Sequence, residues 1–123
     1  MKQRAIKDLL DKKAQAEQFY DMGFDLAITF NHKEAIKYYT KAIELDPTNP
    51  KYYKFRAISL ALIGKGDEAI KDFTMAITLN SQDGEAYRLR AVEYEKKGEK
   101  EKAAKDREMA ENYGVMATKY KNN

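Results

Sequence analysis

The stretch from Lys33 to Pro47, KEAIKYYTKAIELDP, returns thirty-four residues later as DEAIKDFTMAITLNS, Asp67 to Ser81. It returns again at the same interval as EKAAKDREMAENYGV, Glu101 to Val115. The second copy keeps eight of the fifteen residues of the first, and the third keeps only Ala103, Lys105 and Ala110. A fixed period of this length constrains the fold more than any composition does. Each unit is one supersecondary element that cannot bury its apolar face alone, and stacking the units makes one shared core.

The segment opening each unit keeps the same register: Phe19, Tyr53 and Tyr87 align, as do Gly23, Ala57 and Ala91, and Leu26, Leu60 and Tyr94. Further on, Ala35, Ala69 and Ala103 align, and so do Ala42, Ala76 and Ala110. With only six Gly and two Pro in 123 residues, and an abundance of Ala, Lys and Glu, each unit reads as two helices. The spacing predicts helices over about 16–30, 33–45, 50–63, 67–79, 84–97 and 101–113. Polar turns at Asn31–Lys33, Gly64–Gly66 and Gly98–Lys100 join the helices within a unit. Gly64, Gly98 and, in the first unit, Asn31 are expected to take the left-handed conformation that ends a helix. Asp46–Pro50 and Asn80–Gly84 supply turns and N-caps between units. Gly23, Ala57 and Ala91 are expected to meet the small Ala35, Ala69 and Ala103, letting paired helices approach closely.

The first unit carries Phe19-x-x-Met22-Gly23-x-x-Leu26, then Ala35-x-x-x-Tyr39, then Ala42 and Pro47. This pattern resembles the tetratricopeptide repeat family's W-x-x-L-G-x-x-Y…A-x-x-x-F…A…P. Three repeats fall at about 16–49, 50–83 and 84–117, covering about 102 of the 123 residues. Ser81 replaces the closing proline in repeat two, and repeat three departs further. The resemblance implies an all-α fold, a right-handed superhelical stack of helix–turn–helix repeats (an α–α superhelix) whose first helices line a concave surface. The chain then divides into an N-terminal helical extension, 1–15, a three-repeat domain, 16–117, and a tail, 118–123.

The third copy is altered where a second helix should meet a following repeat. Ile36, Tyr39 and Ile43 of repeat one, and Ile70, Phe73 and Ile77 of repeat two, become Ala104, Arg107 and Glu111. Burying an unpaired Arg and Glu costs more than their packing returns, so repeat three reads as a solvated cap. The segment that follows could add one short helical turn through Val115, Met116 and Tyr120, but it is expected to fray. At the other end Ile6, Leu9, Leu10, Ala14 and Ala16 keep helical spacing, so residues 3–15 are expected to prolong the first helix. Their apolar face is expected to cap repeat one or, alternatively, to contact a second chain; fraying is the third reading.

Composition excludes several functions. There is no cysteine, hence no disulfide, thiolate metal site or Cys nucleophile. The single histidine, His32, falls in a predicted turn without partners for a metal. No phosphate loop, nucleophile elbow or zinc motif occurs. The net charge of +3 is spread over interleaved acids and bases, including Glu93/Glu95 and Glu99/Glu101, which read as solvated helix surface. An enzyme, a cofactor, a nucleic-acid partner and a membrane partner are therefore not expected. The N-terminus has no apolar run resembling a signal peptide or span, and the expected location is cytoplasmic.

The family resemblance points to the concave surface instead. Its expected lining is Tyr20, Phe24 and Ile28 with Glu17 and Asp21 from repeat one; Lys51, Lys54, Phe55, Ile58 and Leu62 from repeat two; and Arg88, Leu89 and Val92 with Glu85 and Lys96 from repeat three. Some family members grip the C-terminal carboxylate of heat-shock chaperones there with a Lys/Asn/Asn/Lys/Arg clamp. The matching positions here hold Tyr20, Phe24, Phe55, Glu85 and Leu89, so that mechanism is not expected. An apolar stripe remains, suited to an apolar or amphipathic segment of a protein or peptide partner. Two functions stay open: an adaptor or scaffold for protein–protein interaction, or a self-associating structural protein, conceivably a homodimer, whose groove takes a segment of a neighbouring chain.

Overall fold

The computed structural model describes residues 1–114, and the segment with Val115, Met116 and Tyr120, whether frayed or turned, lies outside them. Six helices follow in order: α1, Lys2–Ile28; α2, His32–Leu45; α3, Pro50–Leu62; α4, Gly66–Leu79; α5, Gly84–Lys96; and α6, Lys100–Asn112. No strand occurs among the described residues.

The ends of these helices repeat in atomic detail. Asn49 Oδ1 accepts from Lys51 N at 3.0 Å with Pro50 opening α3, and Asp83 Oδ1 accepts from Ala86 N at 3.2 Å at the start of α5. Both caps satisfy amides that the helix itself leaves without acceptors. At the other end of each first helix, the N–H groups of Asn31, Lys65 and Glu99 donate to the carbonyls of Leu26, Leu60 and Tyr94 at 2.9, 2.8 and 2.9 Å. This closure requires a left-handed residue just before the donor. Gly64 and Gly98 provide it, with φ of 84° and 81°. In repeat one the residue is Phe30, φ 66°, and not Asn31, which instead precedes α2 as its N-cap. The thirty-four-residue register decides the position, and a phenylalanine there carries about 1–2 kcal/mol of backbone strain.

Within a repeat the small residues meet as expected. Gly23 lies so close to its partner helix that a Cβ there would stand 2.7 Å from the Tyr39 ring and 3.2 Å from the Ala35 carbonyl oxygen. Ala35, Ala57, Ala69, Ala91 and Ala103 are all buried. Tyr39 and Phe73 fill the space between repeats, and the hydroxyls of Tyr53 and Tyr87 donate to the carbonyls of Pro47 and Ser81 at 2.9 and 3.0 Å.

Consecutive helices pack in turn along the array. First helices also touch one another, α1 to α3 and α3 to α5, whereas α2 and α4 do not. The array therefore curves with its first helices on the inside, an all-α helical-repeat superhelix.

Exposure at the two ends bears on two of the expectations. Residues 2–15 are helical and continuous with α1, yet Ile6, Leu9 and Leu10 are exposed and do not cap repeat one. The reason is length: α1 has 27 residues and its antiparallel partner α2 only 14, so the first half of α1 runs past the end of α2. At the far end Ala104, Arg107 and Glu111 are exposed among the described residues, and Arg107 Nη1 reaches Glu95 Oε2 at 3.3 Å.

Candidate functional site

The inner surface is built on an aromatic cluster at the junction of repeats one and two. The Tyr20 ring lies 5.7 Å from Tyr39, 5.5 Å from Tyr52 and 5.5 Å from Phe55, the last edge-on. Phe24 meets Phe55 edge-on at 5.8 Å. Such offset and edge contacts suit the quadrupoles of the rings. Tyr20, expected to line the groove, is only 8% exposed and belongs to the core. Helix geometry points it at the concave side, but Tyr52 and Phe55 of the next repeat close over it. Burial, with the nearby Glu17 and Asp21 carboxylates, pushes its hydroxyl pKa up to about 12. Phe55 is likewise half-buried against this core.

The expected cations are tied down. Lys51 Nζ binds Glu17 Oε1 at 2.7 Å and sits 4.4 Å from the Tyr20 ring centre, while the Tyr52 hydroxyl donates to Glu17 Oε2 at 2.8 Å. The Lys51 bond in particular holds the Glu17 carboxyl below its ordinary pKa, against the opposing effect of burial. Lys54 Nζ bridges Asp83 at 3.0 Å and Glu85 at 3.1 Å. Burial pulls its pKa down, but the two carboxylates outweigh burial and raise it. Neither lysine is a free cation for a ligand. Arg88 is exposed and makes no ion pair among the described residues.

Two shallow apolar pockets lie end to end along the inner face. The first, about 380 Å³, is lined mainly by Phe24, Ile28, Phe30, Phe55, Ile58 and Leu62. The second, about 200 Å³, shares Ile58 and Leu62 and continues over Leu89 and Val92. Ile28, Leu62 and Val92 are exposed, so this strip faces solvent. The structure thus brings together Phe24, Ile28, Phe55, Ile58, Leu62, Leu89 and Val92, buries Tyr20, and pairs Lys51 and Lys54 with carboxylates.

Several residues at the strip escaped sequence reasoning. Phe30 forms the lip of the first pocket with 85% of its surface exposed. The signal was its alignment with Gly64 and Gly98. His32 opens α2 rather than lying in a turn, is partly buried, and its Nδ1 stands 3.2 Å from the Ser59 hydroxyl. Tyr39 also borders the first pocket, and its buried hydroxyl has no hydrogen-bond partner among the described residues. Glu93, read as surface, is buried at the second pocket, where its Oε2 accepts from Lys96 at 3.2 Å. Among the described residues no three His, Cys, Asp or Glu cluster as a metal site would require, and no helix is long and apolar enough to cross a membrane.

Comparison with known proteins agrees with the geometry. A family profile described as tetratricopeptide repeat matches residues 16–49. DnaJ homolog subfamily C member 7 of Mus musculus is 40% identical over 55 residues, and its Homo sapiens counterpart 37% over 60. These matches cover 45% and 49% of this chain but only 11% and 12% of those relatives. Among solved structures, the second TPR of Spaghetti (RPAP3) bound to the HSP90 peptide SRMEEVD superposes with a TM-score of 0.87 at 28% identity, covering 91% of this chain and 96% of that one. The crystal structure of MamA superposes with a TM-score of 0.80 at 25% identity, covering 90% of this chain and 64% of that one. Profile, register and fold converge on the tetratricopeptide repeat: the family model matches residues 16–49, and the six helices superpose on solved TPR domains.

Proposed function

We propose that this chain is a non-enzymatic protein-interaction module, an adaptor or scaffold, that holds an apolar or amphipathic segment of its partner along the inner strip. The observation that carries the reading is the run of solvent-facing apolar side chains Phe24, Ile28, Leu62 and Val92 across adjacent first helices. A soluble surface seldom leaves such a run uncovered without use. Residues 16–117 form the module in this reading, residues 1–15 its extension and 118–123 its tail. The cytoplasm is the compartment it assigns, and no cofactor, metal, nucleic acid or membrane enters it.

The solved relatives that hold SRMEEVD favour peptide binding in general. The same peptide is a poor ligand here. An acidic segment would have to shed water against Phe24, Phe55 and Leu89, beside a Glu85 already paired with Lys54.

The test uses the full chain with labelled peptides. SRMEEVD should show no saturable binding at about 100 μM protein, and low-micromolar binding would overturn the apolar reading. Amphipathic helical peptides should bind, and the double variant Ile28→Ser, Leu62→Ser should weaken them at least about tenfold. Because both side chains are exposed, the melting temperature should hold. Undiminished binding by a folded variant would place the site elsewhere.

A further inference from the structure

The first helix is divided by charge. Residues 2–15 carry Lys2, Arg4, Lys7, Lys12 and Lys13 against Asp8 and Asp11, whereas residues 16–28 carry Glu17, Asp21 and Asp25 and no basic residue. The basic half presents Ile6, Leu9 and Leu10 to solvent along one stripe. The acidic half lines the groove with Phe24 and Ile28, and Asp21 and Asp25, next to them on the same helix, are exposed and make no ion pair among the described residues. One end of the helix thus has the sign and the apolar stripe that the other end lacks cover for. Dimensions agree as well. A fourteen-residue helix is about 21 Å long, and three first helices set 8–10 Å apart span about 20 Å between the outer axes.

Phe30 adds an independent observation. It holds a left-handed backbone at a position where the other repeats carry glycine, and its ring is uncovered. Among the described residues the ring gains only an edge-on contact with His32 at 6.4 Å, which leaves most of it open to solvent. The strain is accounted for if the ring is covered in an assembly.

We propose that the groove takes the apolar face of residues 2–15 of a second copy of this chain. Ile6, Leu9 and Leu10 then lie against Phe24, Ile28, Phe30 and Leu62, with the basic residues beside Asp21 and Asp25. The proposal rests on the groove reading above and commits it to one occupant.

Light scattering on the full chain across micromolar to submillimolar concentration tests it. The mass should rise above the 14.2 kDa of one chain, less so at high salt. Leu9→Asp with Leu10→Asp should hold the chain monomeric at unchanged helicity. Phe30→Gly should weaken association at least about tenfold while the melting temperature holds or rises. A constant monomer mass overturns the proposal. Association that is lost in the leucine variant but indifferent to Phe30→Gly means that the extensions pair with each other, and this also overturns it, as does association indifferent to both. A monomer that still binds amphipathic peptides rejects the occupant and keeps the groove, whereas loss of both rejects the groove itself.

Discussion

The guanidinium of Arg56 grips the carboxylate of Asp72 through two parallel bonds, Nε to Oδ2 at 2.6 Å and Nη2 to Oδ1 at 2.9 Å. Its remaining nitrogen, Nη1, donates to the Thr40 hydroxyl at 3.1 Å. Thirty-four residues on, Arg90 binds Asp106 at 2.8 and 2.8 Å and Thr74 at 3.0 Å. Each arginine stands on a first helix, its aspartate on the second helix of the same repeat, and its threonine on the second helix of the repeat before. Planar, bidentate pairing of this kind is directional as well as strong.

Arg56→Ala strands a mostly buried carboxylate at Asp72 and should cost about 2–3 kcal/mol of unfolding free energy, the partial exposure of the pair tempering the full buried-pair value. Removing both partners together, Arg56→Ala with Asp72→Ala, should cost less than the sum of the two single changes. Urea unfolding of the four proteins measures the coupling, and additivity would mean that the pair contributes nothing.

Phe73 is buried and Arg107, one repeat later in the same slot, is exposed. Phe73→Ala should therefore cost about 3–5 kcal/mol by opening a cavity between repeats. Arg107→Ala should stay within about 0.5 kcal/mol. Comparable costs at the two positions would show that the outer face of α6 is covered in solution.

Gly23→Ala should destabilise the chain by about 1–3 kcal/mol, because the added methyl meets the Tyr39 ring and a fixed backbone carbonyl. The gain in helix propensity from Gly to Ala, about 1 kcal/mol, works in the opposite direction. Thermal melting decides the sign. A rise in melting temperature would show that α1 and α2 separate freely.

Tyr20 has an ordinary pKa of 10.0 and a folded value of about 12, and burial likewise raises those of Tyr39 and Tyr52. A hydroxyl with a raised folded pKa contributes stability that is complete below its unfolded pKa and is lost as pH climbs through the folded one. Urea midpoints should therefore fall between pH 10 and pH 12. Tyr20→Phe should flatten part of that fall, and an identical fall in the variant would exclude Tyr20 as a contributor.

The helix pairs, their small-residue contacts and the N-caps could all be read from the chain, because each depends on residues close in sequence or held in a strict register. The Thr–Arg–Asp sets could not. Their members are ordinary polar residues sixteen positions apart; arginine meets aspartate once the helices of one repeat pair, and the threonine joins only after two repeats have stacked. Tyr20 went wrong for a related reason. A helical projection gives direction, while burial depends on what the next repeat supplies, here Tyr52 and Phe55. At the end of α1, residue preference favoured Asn31, but backbone closure selected Phe30. Most of the apolar strip was legible from helical spacing once the family resemblance had marked the first helices as the lining, whereas the neutralisation of Lys51 and Lys54 required knowing where Glu17, Asp83 and Glu85 come to rest.

In the language of a one-dimensional lattice, each Thr–Arg–Asp set is a nearest-neighbour coupling term, and there is one at each of the two repeat junctions. A repeat that opens alone would sever a half-buried guanidinium from its acceptor on the adjoining unit as well as exposing apolar surface. Amide exchange in α2, α3 and α4 should accordingly report a common opening free energy, one cooperative block rather than three units melting in sequence.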